Sequence, residues 1–79
     1  MEYYWIITDD FIEENLVGIR CGDKTIERTN RAEFELFDGD GELYAKGVIF
    51  GEYDGFEPLD DYGMPALGCT EIKINGEVM

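Results

Sequence analysis

Carboxylates are the side chains of this sequence that have the number and spacing to do chemistry. The 79 residues include 19 acids, six bases and no histidine. The acids concentrate in two stretches that contain no base, residues 1–19 and 47–72. We predict that these stretches form a partner-binding surface, and its candidate residues are Asp9, Asp10, Glu13, Glu14, Glu52, Asp54, Glu57, Asp60 and Asp61.

Paired carboxylates such as Asp60 and Asp61 can act as general acid and general base. The chain, however, contains neither histidine nor serine to complete a catalytic arrangement, and no glycine-rich phosphate loop precedes a helix. Nucleophilic catalysis would depend on cysteine or threonine without the help of an imidazole. We therefore predict that the protein is not an enzyme and uses no cofactor.

The acidic run from Asp38 through Asp40 to Glu42 invites comparison with a calcium-binding loop. An EF-hand loop needs glycine at its sixth position and glutamate at its twelfth. This chain has Leu43 and Ile49 at those places, so a hairpin turn is the better interpretation. We predict no dedicated metal site, and weak, adventitious Ca²⁺ binding by the acidic loops is the alternative.

The formal net charge of −13 on 9.0 kDa is far larger than solubility requires. Small domains stay soluble with about 2 to 8 net charges, and excess like charge destabilises the compact state. A protein needs a basic surface to bind nucleic acids or anionic membranes. We therefore expect this protein to bind neither of them directly. A basic partner is the natural complement, and a solvated acidic surface without a partner is the alternative.

Residues 32–50 predict the β-hairpin around which the chain is organised. Phe34 and Leu36 alternate with Glu33 and Glu35, which is the period of a half-buried strand. The turn falls at 38–41, where glycine takes positive φ without steric cost. Further strands are predicted at 2–8, 25–29 and 70–74, followed by an Asn75-Gly76 turn.

The two acidic stretches are predicted to be a helix and an ordered loop. Residues 9–18 have a capping residue at Asp9 or Asp10, a capping-box glutamate at Glu13 and a terminal Gly18. Residues 51–68 lack a regular pattern, but their apolar side chains favour an ordered loop over disorder. The aromatic residues Tyr53, Phe56 and Tyr62 either anchor a partner or pack under this loop.

The length of the chain predicts a single domain over residues 1–79. No secretory signal or membrane-spanning run is visible, so we expect a cytoplasmic protein that keeps its thiols reduced. We interpret Cys21 and Cys69 as small buried residues, with a disulfide as the alternative. The four bases at 20–31 are expected to offset neighbouring acids, with phosphate binding as the alternative, and they are Arg20, Lys24, Arg28 and Arg31.

Several stretches resemble a family of short, acidic, uncharacterised bacterial proteins, namely WIIT at 5–8, ELY at 42–44, FEPLDDYGMP at 56–65 and GCTEI at 68–72. That resemblance spans most of the chain and implies no function. In size and charge the chain is also similar to phage-encoded anti-CRISPR proteins that act as DNA mimics. This second resemblance implies an inhibitor of the DNA- or PAM-binding surface of a CRISPR effector, in particular a type I complex, and no catalytic residues.

Together these features predict an α+β fold, with an antiparallel sheet of four or five strands, one short helix and a long ordered acidic loop. The predicted function is stoichiometric binding of a monomer to a basic nucleic-acid-binding protein, such as a CRISPR effector subunit. Carboxylates would take the place of phosphates, which duplex DNA presents once per about 1.7 Å of its axis. The alternatives are an immunity protein or antitoxin for a basic toxin, and a small soluble accessory protein.

Overall fold

A computed structural model describes residues 2–26 and 29–79. Within them the chain forms one antiparallel sheet of six strands in the order β2-β1-β4-β3-β5-β6. The strands are β1 (Tyr3–Asp10), β2 (Arg20–Gly22), β3 (Ala32–Phe37), β4 (Leu43–Gly51), β5 (Glu71–Ile74) and β6 (Glu77–Val78). The prediction of an α+β fold with four or five strands is therefore wrong, because the protein is mostly β-sheet and has six strands.

The predicted hairpin is confirmed at the centre of the sheet. β3 pairs with β4 in a register that places Phe34 opposite Gly47. A Cβ atom at residue 47 would collide with the backbone oxygen of Ile6 and with the Phe34 ring, so the glycine makes room for that ring. The Asp38 carboxylate accepts the backbone N–H groups of Asp40 and Glu42 at 2.9 and 2.8 Å, which fixes the turn.

The first and last predicted strands are also confirmed, with small changes in their ends. β1 lies between β2 and β4, and its register with β4 shifts between Ile7 and Asp9. The predicted strand at 25–29 is wrong where the structure describes it, because Lys24–Ile26 form a 3-10 turn. Glu27 and Arg28 lie outside the described residues. The Asn75-Gly76 turn leads into the two-residue strand β6, which the sequence analysis missed.

The hydrophobic core lies on one face of the sheet. Trp5, Phe34 and Ile49 are among its fully buried side chains, and the Trp5 and Phe34 rings meet edge to face at 6.1 Å. Leu16 from the connection between β1 and β2, and Leu59 from the connection between β4 and β5, belong to the same cluster. Both connections therefore cover the same face of the sheet.

The predicted helix at residues 9–18 is wrong. Asp9 and Asp10 end strand β1, and the following residues form bends and turns rather than a helix. The Asp10 carboxylate accepts the backbone N–H groups of Ile12 at 3.0 Å and Leu16 at 3.1 Å. Glu13 and Asn15 have φ angles of 57° and 60°, which interrupt any right-handed helix. Asp10 thus caps a compact loop rather than a helix.

The predicted irregular loop at residues 51–68 is also wrong over most of its length. Residues 57–67, hereafter the helical segment, contain a π-helical turn (Leu59–Gly63) followed by a short α-helix (Met64–Leu67). The Met64 N–H donates to the Leu59 carbonyl across the wider π turn, directly before Pro65, which has no N–H to donate. Gly68, at φ 72°, ends the segment in the left-handed conformation.

Candidate partner-binding surface

The two sides of the sheet carry different charge patterns. The outer face is the side of the sheet opposite the core. Its residues are neighbours in the strand register, and they include Ile6, Glu33, Glu35, Lys46, Val48 and Lys73. The covered side consists of the loop at residues 11–19 and the connection at 52–68, which contains the helical segment.

On the outer face, a row of alternating charge crosses four neighbouring strands. Asp9 on β1 lies opposite Lys46 on β4, Lys46 opposite Glu35 on β3, and Glu35 opposite Lys73 on β5. The Lys46 ammonium is 3.9 Å from the Glu35 carboxylate. A second pair, between Arg31 and Glu33 at 3.8 Å, lies nearby. Cross-strand neighbours of opposite charge stabilise a sheet, so Lys46 and Lys73 offset acids of the outer face itself.

The covered side has acids and no base. Its two segments, residues 11–19 and 52–68, contain neither lysine nor arginine. They lie side by side, since Ile12 and Leu16 from the loop and Tyr62 and Leu67 from the helical segment line one cleft. The loop at 11–19 and the connection at 52–68 therefore lie on the same side of the sheet, whereas Asp9 lies on the outer face.

The nine predicted contact residues separate into two groups. Five have exposed side chains whose carboxylates make no hydrogen bond or ion pair to another described residue, and they are Glu13, Glu14, Glu52, Asp54 and Asp60. The other four, Asp9, Asp10, Glu57 and Asp61, contact groups of this chain. Only in the first group are both carboxylate oxygens available to a partner.

Each member of the second group has a definable structural role. Asp9 lies on the outer face and accepts the Thr8 hydroxyl at 3.0 Å. Asp10 caps the loop, as described above. The Glu57 carboxylate accepts the backbone N–H groups of Asp54 at 2.7 Å and Gly55 at 2.8 Å, which fixes the entry to the helical segment.

Asp61 fastens the helical segment to strand β1. Its carboxylate accepts the Tyr3 hydroxyl at 2.6 Å and the Trp5 indole N–H at 3.1 Å. Burial, and then the Asp61 carboxylate, raise the pKa of the Tyr3 hydroxyl above its usual value. Burial and Asp61 likewise raise the pKa of the Cys21 thiol, which makes this thiol a poor nucleophile.

The second cysteine is inert for a similar reason. Cys69 is fully buried in the core, and burial followed by the Asp38 carboxylate raises the pKa of its thiol to about 11. Both Cys21 and Cys69 are free thiols in the structure. Neither has the lowered pKa that an activated cysteine needs.

The aromatic residues that the sequence analysis considered as anchors differ in their exposure. Tyr53 is half-buried and donates its hydroxyl to the Asn30 carbonyl at 2.7 Å. Tyr62 is half-buried against Trp5, with ring centroids 6.2 Å apart. Phe56, at the start of the helical segment, is 42% exposed and is the one of the three that offers most of its ring to a partner.

A cleft of about 460 Å³ separates the loop at 11–19 from the helical segment. Its lining residues are Ile12, Glu14, Leu16, Tyr44, Tyr62, Ala66 and Leu67. Sequence reasoning missed this cleft because its walls come from three distant parts of the chain, and no local pattern indicates that they meet. A larger hollow of about 680 Å³ lies on the outer face, where its lining includes the paired Arg31, Glu33, Glu35 and Lys46.

Within residues 2–26 and 29–79, no group of three or more acidic or cysteine side chains is arranged to hold a metal ion. In the same part of the chain, every helix is too short to cross a membrane. Comparisons of the chain with protein-family models, with curated proteins and with solved structures gave no match.

Proposed function

We propose that this protein binds stoichiometrically, through its covered side, to a basic nucleic-acid-binding surface of another protein and so competes with nucleic acid. The observation that supports the proposal is the separation of charge. The ion pairs among described residues lie on the outer face, whereas the segments of the covered side contain acids but neither lysine nor arginine.

A surface of this kind favours a partner rich in arginine and lysine. Unpaired carboxylates create a negative potential that steers a basic groove toward them and raises the association rate. Pairing at the interface then satisfies both partners, as phosphate contacts do in a protein–DNA complex. The exposed carboxylates Glu13, Glu14, Glu52, Asp54 and Asp60 are the residues to which we assign these contacts.

The more specific form of the proposal names the partner as the DNA- or PAM-binding surface of a CRISPR effector, in particular a type I complex. It is supported by the similarity in size and charge to anti-CRISPR proteins that mimic DNA. An immunity protein that neutralises a basic nuclease toxin would use the same electrostatics, so the identity of the captured partner distinguishes the two.

Capture of the partner followed by competition tests the proposal. The tagged protein is used to isolate partners from bacterial lysates that contain type I CRISPR effectors, and a labelled DNA duplex bound to the captured protein is then titrated with the untagged chain. We expect the duplex to be displaced at stoichiometric concentrations. A stable ternary complex with the duplex would overturn the proposal, and capture of a nuclease toxin would overturn its CRISPR form.

Two variants with the same change in net charge sharpen this test. Asp60→Lys reverses an exposed carboxylate on the covered side, and Glu33→Lys reverses an exposed one on the outer face. We expect Asp60→Lys to weaken displacement about tenfold or more, because it places a like charge against the basic groove. Glu33→Lys should change displacement by less than about twofold. Equal effects would mean that total charge, rather than a particular surface, determines binding.

A further inference from the structure

The cleft between the loop at 11–19 and the helical segment is lined by apolar, aromatic and acidic side chains. Leu16 is almost fully buried, and Tyr44 and Tyr62 are half-buried. Glu14 is the exposed acid of the lining, which places its carboxylate toward solvent. With a volume of about 460 Å³, the cleft exceeds the lower bound of about 300 Å³ for ligand pockets.

The chemistry of this lining favours an organic cation. Aromatic faces attract a cation through their quadrupole, and a carboxylate at the rim can accept its N–H groups. No base is among the lining residues that the structure describes, so Glu14 has no competing cation inside the cleft. A neutral or anionic side chain would leave that carboxylate without a counterpart.

Arginine fits this combination better than lysine. Its guanidinium is planar, stacks on aromatic rings and is more weakly hydrated than an ammonium group, and its donors match a carboxylate in a two-pronged hydrogen bond. Lysine carries a compact, strongly hydrated charge that leaves water at greater cost. A cleft that combines tyrosine walls with one glutamate therefore distinguishes the two bases.

The walls of the cleft are held in place before any ligand arrives. Tyr62 packs on Trp5, which is itself fixed by its hydrogen bond to Asp61. The Leu16 N–H donates to Asp10, which fixes the loop that contributes Leu16 to the lining. Such preorganisation lowers the entropy lost on binding and favours affinity.

We propose that this cleft receives one arginine side chain of the basic partner, with the guanidinium against Tyr44 and Tyr62 and its N–H groups donating to Glu14. The inference rests on the proposed function, and it names the residue of the partner that anchors the complex. A buried anchor of this kind is typical of interface hot spots, where arginine is enriched.

A titration with short peptides tests the cleft without the partner. The isotope-labelled protein is titrated with an acetylated, amidated Gly-Gly-Arg-Gly-Gly peptide, and the lysine and citrulline versions serve as controls. We expect amide shifts centred on Glu14, Leu16, Tyr62 and Leu67, with the order of affinity arginine, lysine, citrulline. Equal binding of citrulline, or shifts spread evenly over both acidic segments, would overturn the proposal.

Neighbouring glutamates provide a matched pair of variants. Glu14→Gln removes the carboxylate at the rim, whereas Glu13→Gln removes the same charge one residue away, outside the lining. We expect Glu14→Gln to weaken binding of the arginine peptide about tenfold, since it loses a charge-assisted hydrogen bond, and Glu13→Gln by less than about twofold. Equal losses would indicate screening by overall charge only. Both positions are exposed, so both variants should retain the fold.

The peptide test and the competition test fail independently. If the arginine peptide binds in the cleft but the captured partner still accepts DNA in a ternary complex, the proposed function is wrong and the cleft remains an arginine site. If DNA is displaced but citrulline binds as well as arginine, the proposed function stands and the cleft is not its anchor.

Discussion

The outer face and the covered side of this protein differ in how their carboxylates are arranged relative to basic side chains. On the outer face, Asp9, Lys46, Glu35 and Lys73 alternate in charge across β1, β4, β3 and β5, and each lies opposite a charge of the other sign. On the covered side, the charged residues of the loop and the helical segment are all acids. Lys46 and Lys73 therefore lie where adjacent strands bring charges close together, whereas the segments of the covered side contain no base of their own.

Repulsion between like charges is tolerated better on the connections than on the strands. Side chains on neighbouring strands are about 5 Å apart, so like charges there would destabilise the sheet. Side chains on the loop and the helical segment project into water, where physiological salt largely screens the repulsion between charges that are more than roughly 8 Å apart. The surface that we propose for a basic partner thus lies on the connections and not on the strands.

The largest expected effect comes from breaking the sheet that both surfaces share. Gly47→Ala places a Cβ against the Ile6 carbonyl oxygen and the Phe34 ring, neither of which can move freely. We expect a loss of about 3 kcal/mol in the free energy of unfolding, measured by urea denaturation. Gly39→Ala, in an open turn, is the control and should change stability far less. Similar losses for both variants would contradict the close packing of Phe34 on Gly47.

A smaller effect is expected from separating the covered side from the sheet. Asp61→Ala removes the acceptor of the Trp5 indole N–H and the Tyr3 hydroxyl, and leaves a buried donor unsatisfied. The expected cost is about 1–2 kcal/mol. Asp60→Ala changes the neighbouring exposed carboxylate and should cost less than about 0.5 kcal/mol. If thermal unfolding shows the two variants to be equally stable, Asp61 does not anchor the helical segment.

Asp9 and Asp10 are adjacent, but Asp9 lies on the outer face and Asp10 caps the loop of the covered side. Asp10→Asn weakens the cap on two backbone N–H groups, and we expect the melting temperature to fall by roughly 4 °C. Asp9→Asn removes an exposed charge on the outer face and should change it much less. A larger fall in melting temperature for Asp9→Asn would show that the row of alternating charge, and not the cap, stabilises this end of β1.

The cap also predicts a dependence on pH. Partial desolvation raises the pKa of Asp10, but the N–H groups of Ile12 and Leu16 lower it more, so its pKa lies below the usual value. The stabilisation is therefore present above the unfolded pKa of about 4 and is lost as the pH falls through the folded pKa. Melting temperatures of the wild type and Asp10→Asn should converge at low pH, and a constant difference would contradict the cap.

How far the sequence predicts this fold depends on whether local pattern or distant contact decides each segment. The hairpin at 32–50 was predictable, because Phe34 and Leu36 alternate with Glu33 and Glu35 over a full strand. The strands β2 and β6 have three and two residues, too few for a period to show. They exist because their neighbours in the sheet offer hydrogen-bonding edges, which no local pattern reports.

The two acidic stretches misled prediction in opposite directions. Asp10 does accept backbone N–H groups, as a capping residue would, but these bonds close a loop and not a helix. Glu13, the expected capping-box residue, has a positive φ angle in that loop. In residues 51–68, Pro58 and Pro65 suggest an irregular loop, yet Pro58 lies in the first turn, where proline is tolerated. The π turn accommodates Pro65. The acids of the candidate surface were visible in the sequence, whereas the roles of Glu57 and Asp61 depend on contacts that it does not show.

Repulsion on the covered side predicts the smallest effect, a response to salt. Raising sodium chloride from 0.01 to 0.15 M shortens the screening length from about 30 to about 8 Å. We expect the melting temperature to rise by about 2–4 °C. The rise should shrink in a variant with Glu13→Gln and Asp60→Gln, and less so in one with Glu33→Gln alone. A melting temperature independent of salt would mean that the acids are individually compensated.

The most direct test of which surface meets the partner is the hydrogen-exchange footprint of the captured complex. Backbone amides are compared between the free protein and the protein bound to its partner. We expect protection around residues 11–19 and 52–68, with amides near Glu33, Glu35 and Lys73 unchanged. Protection confined to the outer face, with the acidic connections still exchanging as in the free protein, would contradict this expectation.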